Sequence, residues 1–223
     1  MTSKLLTEMI GTFFLVLTIG LTVIGGTPFA PLAIGSVLMV MVYMGGHVSG
    51  AHYNSAVTLA VWARGAMRGA EVLPYWVAQL VGGLLAALAT WAITWETFAP
   101  APGDTATILG AFLVELLFTF ALALVVLQSA TAPETKGNSY YGLAIGFTVA
   151  AGAFAGGGIS GGAFNPAVGL PPILFAALVD GGTLSNAWLY VVAPLAAGLI
   201  AAWVYRVQTP ASSTLEHREE SLV

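Results

Sequence analysis

Apolar residues run through this chain in long uninterrupted blocks. No Asp, Glu, Lys or Arg occurs in residues 9–63, 72–95, 116–133, 137–179 or 181–205. A bilayer-spanning helix needs roughly 20 predominantly apolar residues. The blocks 72–95 and 181–205 each fit one span, and the others divide at turn signals. Residues 4–25 form a first span, closed by Gly25-Gly26-Thr27-Pro28, and residues 32–46 a second, closed by Gly45-Gly46. Residues 107–128 make a fourth and residues 140–155 a fifth, ended by Gly156-Gly157-Gly158. Six spans result. Two apolar pieces, 54–63 and 165–178, are too short to cross. The first span is no cleavable signal peptide, because its apolar run is too long and carries Glu8 near its start.

Composition supports a membrane-embedded chain. Hydrophobic residues are 58% of it and charged residues 7%, against roughly 45–50% and 25% for a globular protein. The net charge of −4, with no basic cluster, leaves no electrostatic footprint for nucleic acid. Cysteine is absent, which excludes disulfides and thiolate chemistry. With six spans, Lys4, Arg64, Arg68, Lys136, Arg206 and Arg218 all fall on the side of the termini, so the positive-inside rule places both termini in the cytoplasm. Residues 1–207 read as a single transmembrane domain and 208–223 as a disordered cytoplasmic tail.

The two halves repeat, about 4–95 against 107–207. Leu32-Ala33-Ile34-Gly35 matches Leu143-Ala144-Ile145-Gly146. The run from Val48-Ser49-Gly50 to Asn54-Ser55-Ala56-Val57 matches that from Ile159-Ser160-Gly161 to Asn165-Pro166-Ala167-Val168. Both share an offset of 111 residues (35 against 146, 54 against 165). Glu8 with Thr12-Phe13 echoes Glu115 with Thr119-Phe120, and Trp76 echoes Trp188. Three spans per half invert the second copy, giving an in-plane pseudo-two-fold axis. Each short piece begins at an Asn, a good helix N-cap, and the second continues with Pro at the first helical position. The Ser-Gly-rich segments before them cannot lie bare in lipid. Two half-helices therefore enter from opposite faces and meet N-terminus to N-terminus, each end carrying roughly half a positive charge.

Paired half-helices of this kind, in an inverted three-plus-three frame, resemble the aquaporin or major intrinsic protein family. The likeness runs from Glu8 to Trp203. Asn165-Pro166-Ala167 carries the family tripeptide outright, and Asn54-Ser55-Ala56 carries it with Ser for Pro. The resemblance implies an all-α membrane fold of six transmembrane helices plus two re-entrant half-helices. It also implies a homotetramer in the lipid bilayer, a passive path for small neutral solutes, no cofactor and no enzymatic activity.

Glu8 and Glu115 lie well inside spans, where an acid is by default functional. As repeat equivalents they are better read as acceptors for the freed backbone N–H groups of the loops, and the resembled family uses its glutamates so. His47 and His52 offer no third metal ligand, and their repeat partners are Gly158 and Ala163. The resemblance gives His47 a hydrogen-bonding role in its loop, as a loop support that also lines the passage, while His52 reads as a loop residue only. Ser49 has no oriented His–acid pair for hydrolase chemistry.

The family's outer constriction, counted from the two Asn residues, falls here on Ile34, Ala153, Gly162 and Val168. Water-selective relatives have an aromatic, a His, a small residue and an Arg at these places; this chain has neither the aromatic nor the Arg. The constriction is expected to be wide and apolar unless Phe154 turns inward, or to be lost in favour of the central Asn pair. Water is the default solute, with glycerol, urea and ammonia as alternatives. An ion-coupled transporter or a structural protein with little flux are the competing classes. No ring of charges is present for ions.

Overall fold

The computed structural model describes residues 1–209 and contains eight α-helices with no strand among the described residues. They are α1 (Thr2–Ile24), α2 (Ala30–Ser49), α3 (Ser55–Ala63), α4 (Gly69–Thr94), α5 (Ile108–Val126), α6 (Tyr141–Ser160), α7 (Pro166–Val179) and α8 (Leu189–Gln208). Helices α1, α2, α4, α5, α6 and α8 are long and apolar enough to span a bilayer. Helices α3 and α7 are the two half-helices. The tail from residue 210 onward, with Arg218, lies outside the described residues, and Gln208, read as tail, ends α8.

The repeat is visible in the packing. Helix α1 packs on α4, α5 on α8, and α2 on α6 across the pseudo-two-fold axis. At that axis Gly35 and Gly146, residues 111 apart, face each other's backbone. A Cβ on Gly35 would sit 2.6 Å from the Gly146 carbonyl oxygen, and one on Gly146 would sit 2.4 Å from that of Gly35. Only glycine lets the two helices approach so closely, the small-residue logic of membrane helix crossings. The half-helices are seated the same way: Gly198 of α8 faces the Ala56 carbonyl and Gly83 of α4 faces that of Ala167.

Several helix ends differ from the sequence reading. The Gly45-Gly46 and Gly156-Gly157-Gly158 signals do not end α2 and α6, which run on to Ser49 and Ser160. Gly45 is small because the Tyr53 hydroxyl lies against it, and Gly156 because Val114 does. The true stops are Gly50 and Gly161, left-handed C-caps with φ of 89° in both repeats. Helix α5 continues through a π turn, Leu127–Thr131, past the expected end at 128. The sixth span starts at Leu189, not 181, so 181–188 is a connection.

Contacts between distant segments lock the face that holds the start of α1 and the end of α8, the two ends of the described chain. Lys4 pairs with Glu71 at 3.3 Å, and Arg68 Nε reaches Glu71 at 3.6 Å. Arg64, just past α3, donates to the carbonyl and hydroxyl of Thr131 and lies 4.6 Å over the Tyr205 ring. Arg206 donates to the Ala63 carbonyl. The end of the first half-helix is thus tied to both α5 and α8.

Candidate functional site

The two loops leading into the half-helices are held by the two buried glutamates in matched fashion. Ser49 Oγ donates to Glu8 Oε1 at 2.7 Å, as do His52 N at 2.9 Å to Oε1 and Tyr53 N at 2.7 Å to Oε2. In the second repeat, Ser160 Oγ at 2.8 Å, Ala163 N at 3.0 Å and Phe164 N at 2.6 Å donate to Glu115. Each donor pair differs by 111 in number, and the two glutamates by 107. Tyr53 and Phe164 adopt left-handed φ values of 48° and 50°, costly for aromatic residues, and the carboxylates hold their N–H groups in that turn. Two further tyrosines anchor the loop starts. Tyr75 donates to the Ser49 carbonyl at 2.8 Å and Tyr190 to that of Ser160 at 2.5 Å. Both serine hydroxyls are thus committed to carboxylates, which leaves neither as a nucleophile.

The half-helix ends are strapped to each other by the asparagines. Asn54 Nδ2 donates to the Phe164 carbonyl at 2.9 Å and Asn165 Nδ2 to the Tyr53 carbonyl at 2.8 Å. Their Oδ1 atoms cap the helices, Asn54 from Ala56 N and Val57 N, Asn165 from Ala167 N at 2.9 Å. An amide has two N–H groups, so each Asn keeps one beyond its strap. Both line a central cavity of about 30 Å³, space for about two waters. Apart from His52 and Tyr53 on the loop side, the rest of its wall is apolar, with Leu15, Leu38, Leu122, Ile145 and Val149.

A wider cavity of about 430 Å³ opens beyond it, on the face away from the chain ends. Ile34, Gly162 and Val168 line both cavities and so stand at the junction. Ala153 lines only the outer one. The sequence count placed it at the aperture, but on α6 it is Val149, one turn away, that lines the central cavity. Ile19 of α1 shares the junction instead. Phe154 is 59% exposed and lines neither cavity, so it does not fill the gap. Adjacent residues on a helix face different ways.

The two histidines exchange the weights the sequence gave them. His47 ends α2 exposed, makes no side-chain hydrogen bond among the described residues, and lines a 610 Å³ cavity at the face of the chain ends. It does not support the loop. His52 is buried, lies within hydrogen-bond reach of Thr58 at 3.1 Å, and lines both the central cavity and a 330 Å³ cavity on that same face. Ser55 is no bystander either. Its hydroxyl donates to Gln79 Oε1 at 3.1 Å, and Gln79 Nε2 donates to Glu8 Oε2 at 2.8 Å. Gln79 was invisible to motif reasoning, although its position as the lone amide in the block 72–95 was available.

This architecture has counterparts among known proteins. The profile of the family described as Major intrinsic protein matches residues 1–205. The chain belongs to that family. A glycerol uptake facilitator protein-like protein of Lactiplantibacillus plantarum is 34% identical over 218 residues, spanning 92% of this chain and 97% of its own. Nodulin-26 of Glycine max is also 34% identical, over 92% of this chain and 77% of its own. The X-ray structure of the aquaglyceroporin from Plasmodium falciparum shares the fold with a TM-score of 0.81 at 22% identity, covering 92% of this chain and 95% of that one. Membership of the family supports a passive channel for water and small solutes.

The Ser at position 55 of this family member carries its own expectation. Ser55→Pro removes the bond to Gln79 and a long 3.4 Å contact from Ser55 N to Asn165 Oδ1, but pre-sets φ at the first helical position. The opposing effects are each about 1 kcal/mol. Stability in detergent should shift by a few degrees at most, and water flux per folded channel should stay within error. A large flux change with unchanged melting would give Ser55 a direct role in the passage.

Proposed function

We propose that this protein is a passive channel for water and small uncharged solutes of the glycerol, urea or ammonia class, and that it excludes ions. The observation that carries this reading is the pair of half-helix N-termini meeting at two cross-strapped asparagines beside a narrow central cavity. Each Asn offers one spare N–H to a passing oxygen, while the two helix ends set a positive potential that opposes cations. In this reading Asn54, Ser55, Ala56, Asn165, Pro166 and Ala167 form the centre. Ile34, Gly162 and Val168, joined by Ile19, form the outer aperture, and Ala153 widens the vestibule above it. Glu8 and Glu115 brace the loops. The channel functions in the bilayer as a homotetramer with one passage per subunit and with both termini cytoplasmic.

The test is osmotic. Vesicles containing the purified protein are stepped into hyperosmotic solutions of an impermeant sugar, glycerol or urea, and their volume is followed by light scattering. Fast shrinkage with low activation energy, followed by re-swelling in at least one small solute, is the expected result. Flux that needs an ion gradient means a coupled transporter. No flux above protein-free vesicles means a structural role.

A further inference from the structure

Position 34 holds an isoleucine and Phe154 lines neither cavity, yet the outer cavity does have an aromatic wall. Phe98 supplies it, the one aromatic among the described residues that line this cavity, and it comes from the connection between α4 and α5. The edge of its ring is seated on α1. A Cβ on Gly20 would lie 2.5 Å from Phe98 Cε1 and 2.9 Å from Cζ, so the missing side chain makes the seat. Gly20 follows Ile19, which lines both cavities. With a helical rise of about 1.5 Å per residue, the ring edge rests beside the junction along α1. The connection is tied on both sides of the ring. Thr97 Oγ1 donates to Asp180, just past α7, and Gly103 N donates to the Ile159 carbonyl near the end of α6 at 3.0 Å. Between these ties Pro100 and Pro102 hold their own φ. Gly161 leaves them room, since a Cβ there would lie 2.9 Å from both Pro100 Cβ and Ala101 N.

We infer that Phe98 is a specificity-determining residue of the passage, a ring held by the connection at the mouth of the junction that limits solute width together with Ile19. The outer cavity narrows here from about 430 Å³ to the 30 Å³ of the centre. A solute wider than water must clear the ring before it reaches Val168 and the asparagines, whereas water passes beside it. Gly20 is the positioning residue, because its bare backbone lets the ring lie back against α1. Residue 98 falls between the two repeats, so no counting from Asn54 or Asn165 leads to it. The inference rests on the channel reading and assigns part of its size limit to a connection outside the repeated frame.

The chain has no cysteine, so a single introduced thiol reports on its own surroundings. Full-length Phe98→Cys, with Phe154→Cys as control, is reconstituted in vesicles with a charged, water-soluble thiol reagent on both sides. Labelling should remove most of the water flux of Phe98→Cys and leave that of Phe154→Cys intact. Without reagent, Phe98→Leu and Phe98→Ala should raise the ratio of glycerol or urea permeability to water permeability, by roughly tenfold for the alanine. Gly20→Ala should push the ring into the cavity and lower that ratio, and adding Phe98→Ala should reverse the fall. Water flux in Phe98→Cys that the reagent leaves intact overturns the inference. So does a wild-type ratio in folded Phe98→Leu, the milder change should Phe98→Ala fail to fold. A lowered ratio in Gly20→Ala that persists without the ring also overturns it, since the new Cβ would then act through Thr90 Oγ1, 2.6 Å away. Absence of water flux through wild-type vesicles overturns the channel reading instead.

Discussion

Glu115→Leu should leave little folded protein, and Glu8→Leu less still. Leucine at 115 strands Ala163 N and Phe164 N, while the Ser160 hydroxyl can fall back on the Gly156 carbonyl at 3.4 Å. Leucine at 8 strands His52 N and Tyr53 N, and also removes the partner of Ser49 and of Gln79. A stranded buried donor costs about 1–3 kcal/mol, so two backbone groups lose on the order of 4 kcal/mol. That is a large share of an ordinary stability of about 5–15 kcal/mol. The released segment is also one that holds an aromatic residue at positive φ, so its collapse has a ready direction. Yield of monodisperse protein and melting temperature in detergent measure the loss. Glu→Gln is the discriminating variant, since it keeps one acceptor oxygen at either site. It should fall between wild type and Leu in stability and leave water flux per folded channel unaltered. Loss of a proton-linked flux in Glu→Gln at unchanged stability would make these residues a relay and not a brace.

The sequence disclosed those parts of the molecule that depend on local pattern or on the repeat. Charge-free blocks of span length, the 111-residue offset and an Asn at the head of each short apolar piece are all readable in one dimension, and the six spans and two half-helices follow from them. Helix ends were harder, because glycine serves two purposes here. Gly45 and Gly156 are small so that a neighbour can approach, whereas Gly50 and Gly161 end helices, and composition cannot tell the two uses apart. Pairing across helices was harder again. Nothing near Ser55 announces Gln79, and counting from Asn165 gives Ala153 its number without showing that its neighbour one turn away faces the centre. Ile19 lies in an apolar run of α1 with no feature to mark it. Its place at the aperture depends on how α1 tilts against α2 and the second loop, which is a property of packing.

Val168→Arg should reduce glycerol or urea flux far more than water flux. Val168 is buried at the junction of a 430 Å³ outer cavity and a 30 Å³ central one, with Ile34, Gly162 and Ile19 around it. No charged side chain lines either cavity, so a solute entering from outside meets small and aliphatic side chains and the Phe98 ring before the Asn pair. A guanidinium on the first turn of α7 would extend from that junction, narrow it and add fixed donors and a full positive charge. One added group in a tight apolar site discriminates by roughly tenfold or more, and that is the expected fall in the ratio of glycerol to water permeability. Water, which needs less width and accepts the new donors, should lose a few-fold at most. The charge should also strengthen cation exclusion beyond what the helix ends supply, because it is a whole charge against about half at each N-terminus. Osmotic vesicle assays with water, urea and glycerol on the same preparation give the ratios, and an ion-leak dye gives the exclusion. An unchanged solute ratio in a well-folded Val168→Arg protein would mean that the apolar ring of the central cavity, not this junction, sets the size limit. In that case Val149→Ala, which widens the centre beside the asparagines, should change the ratio instead.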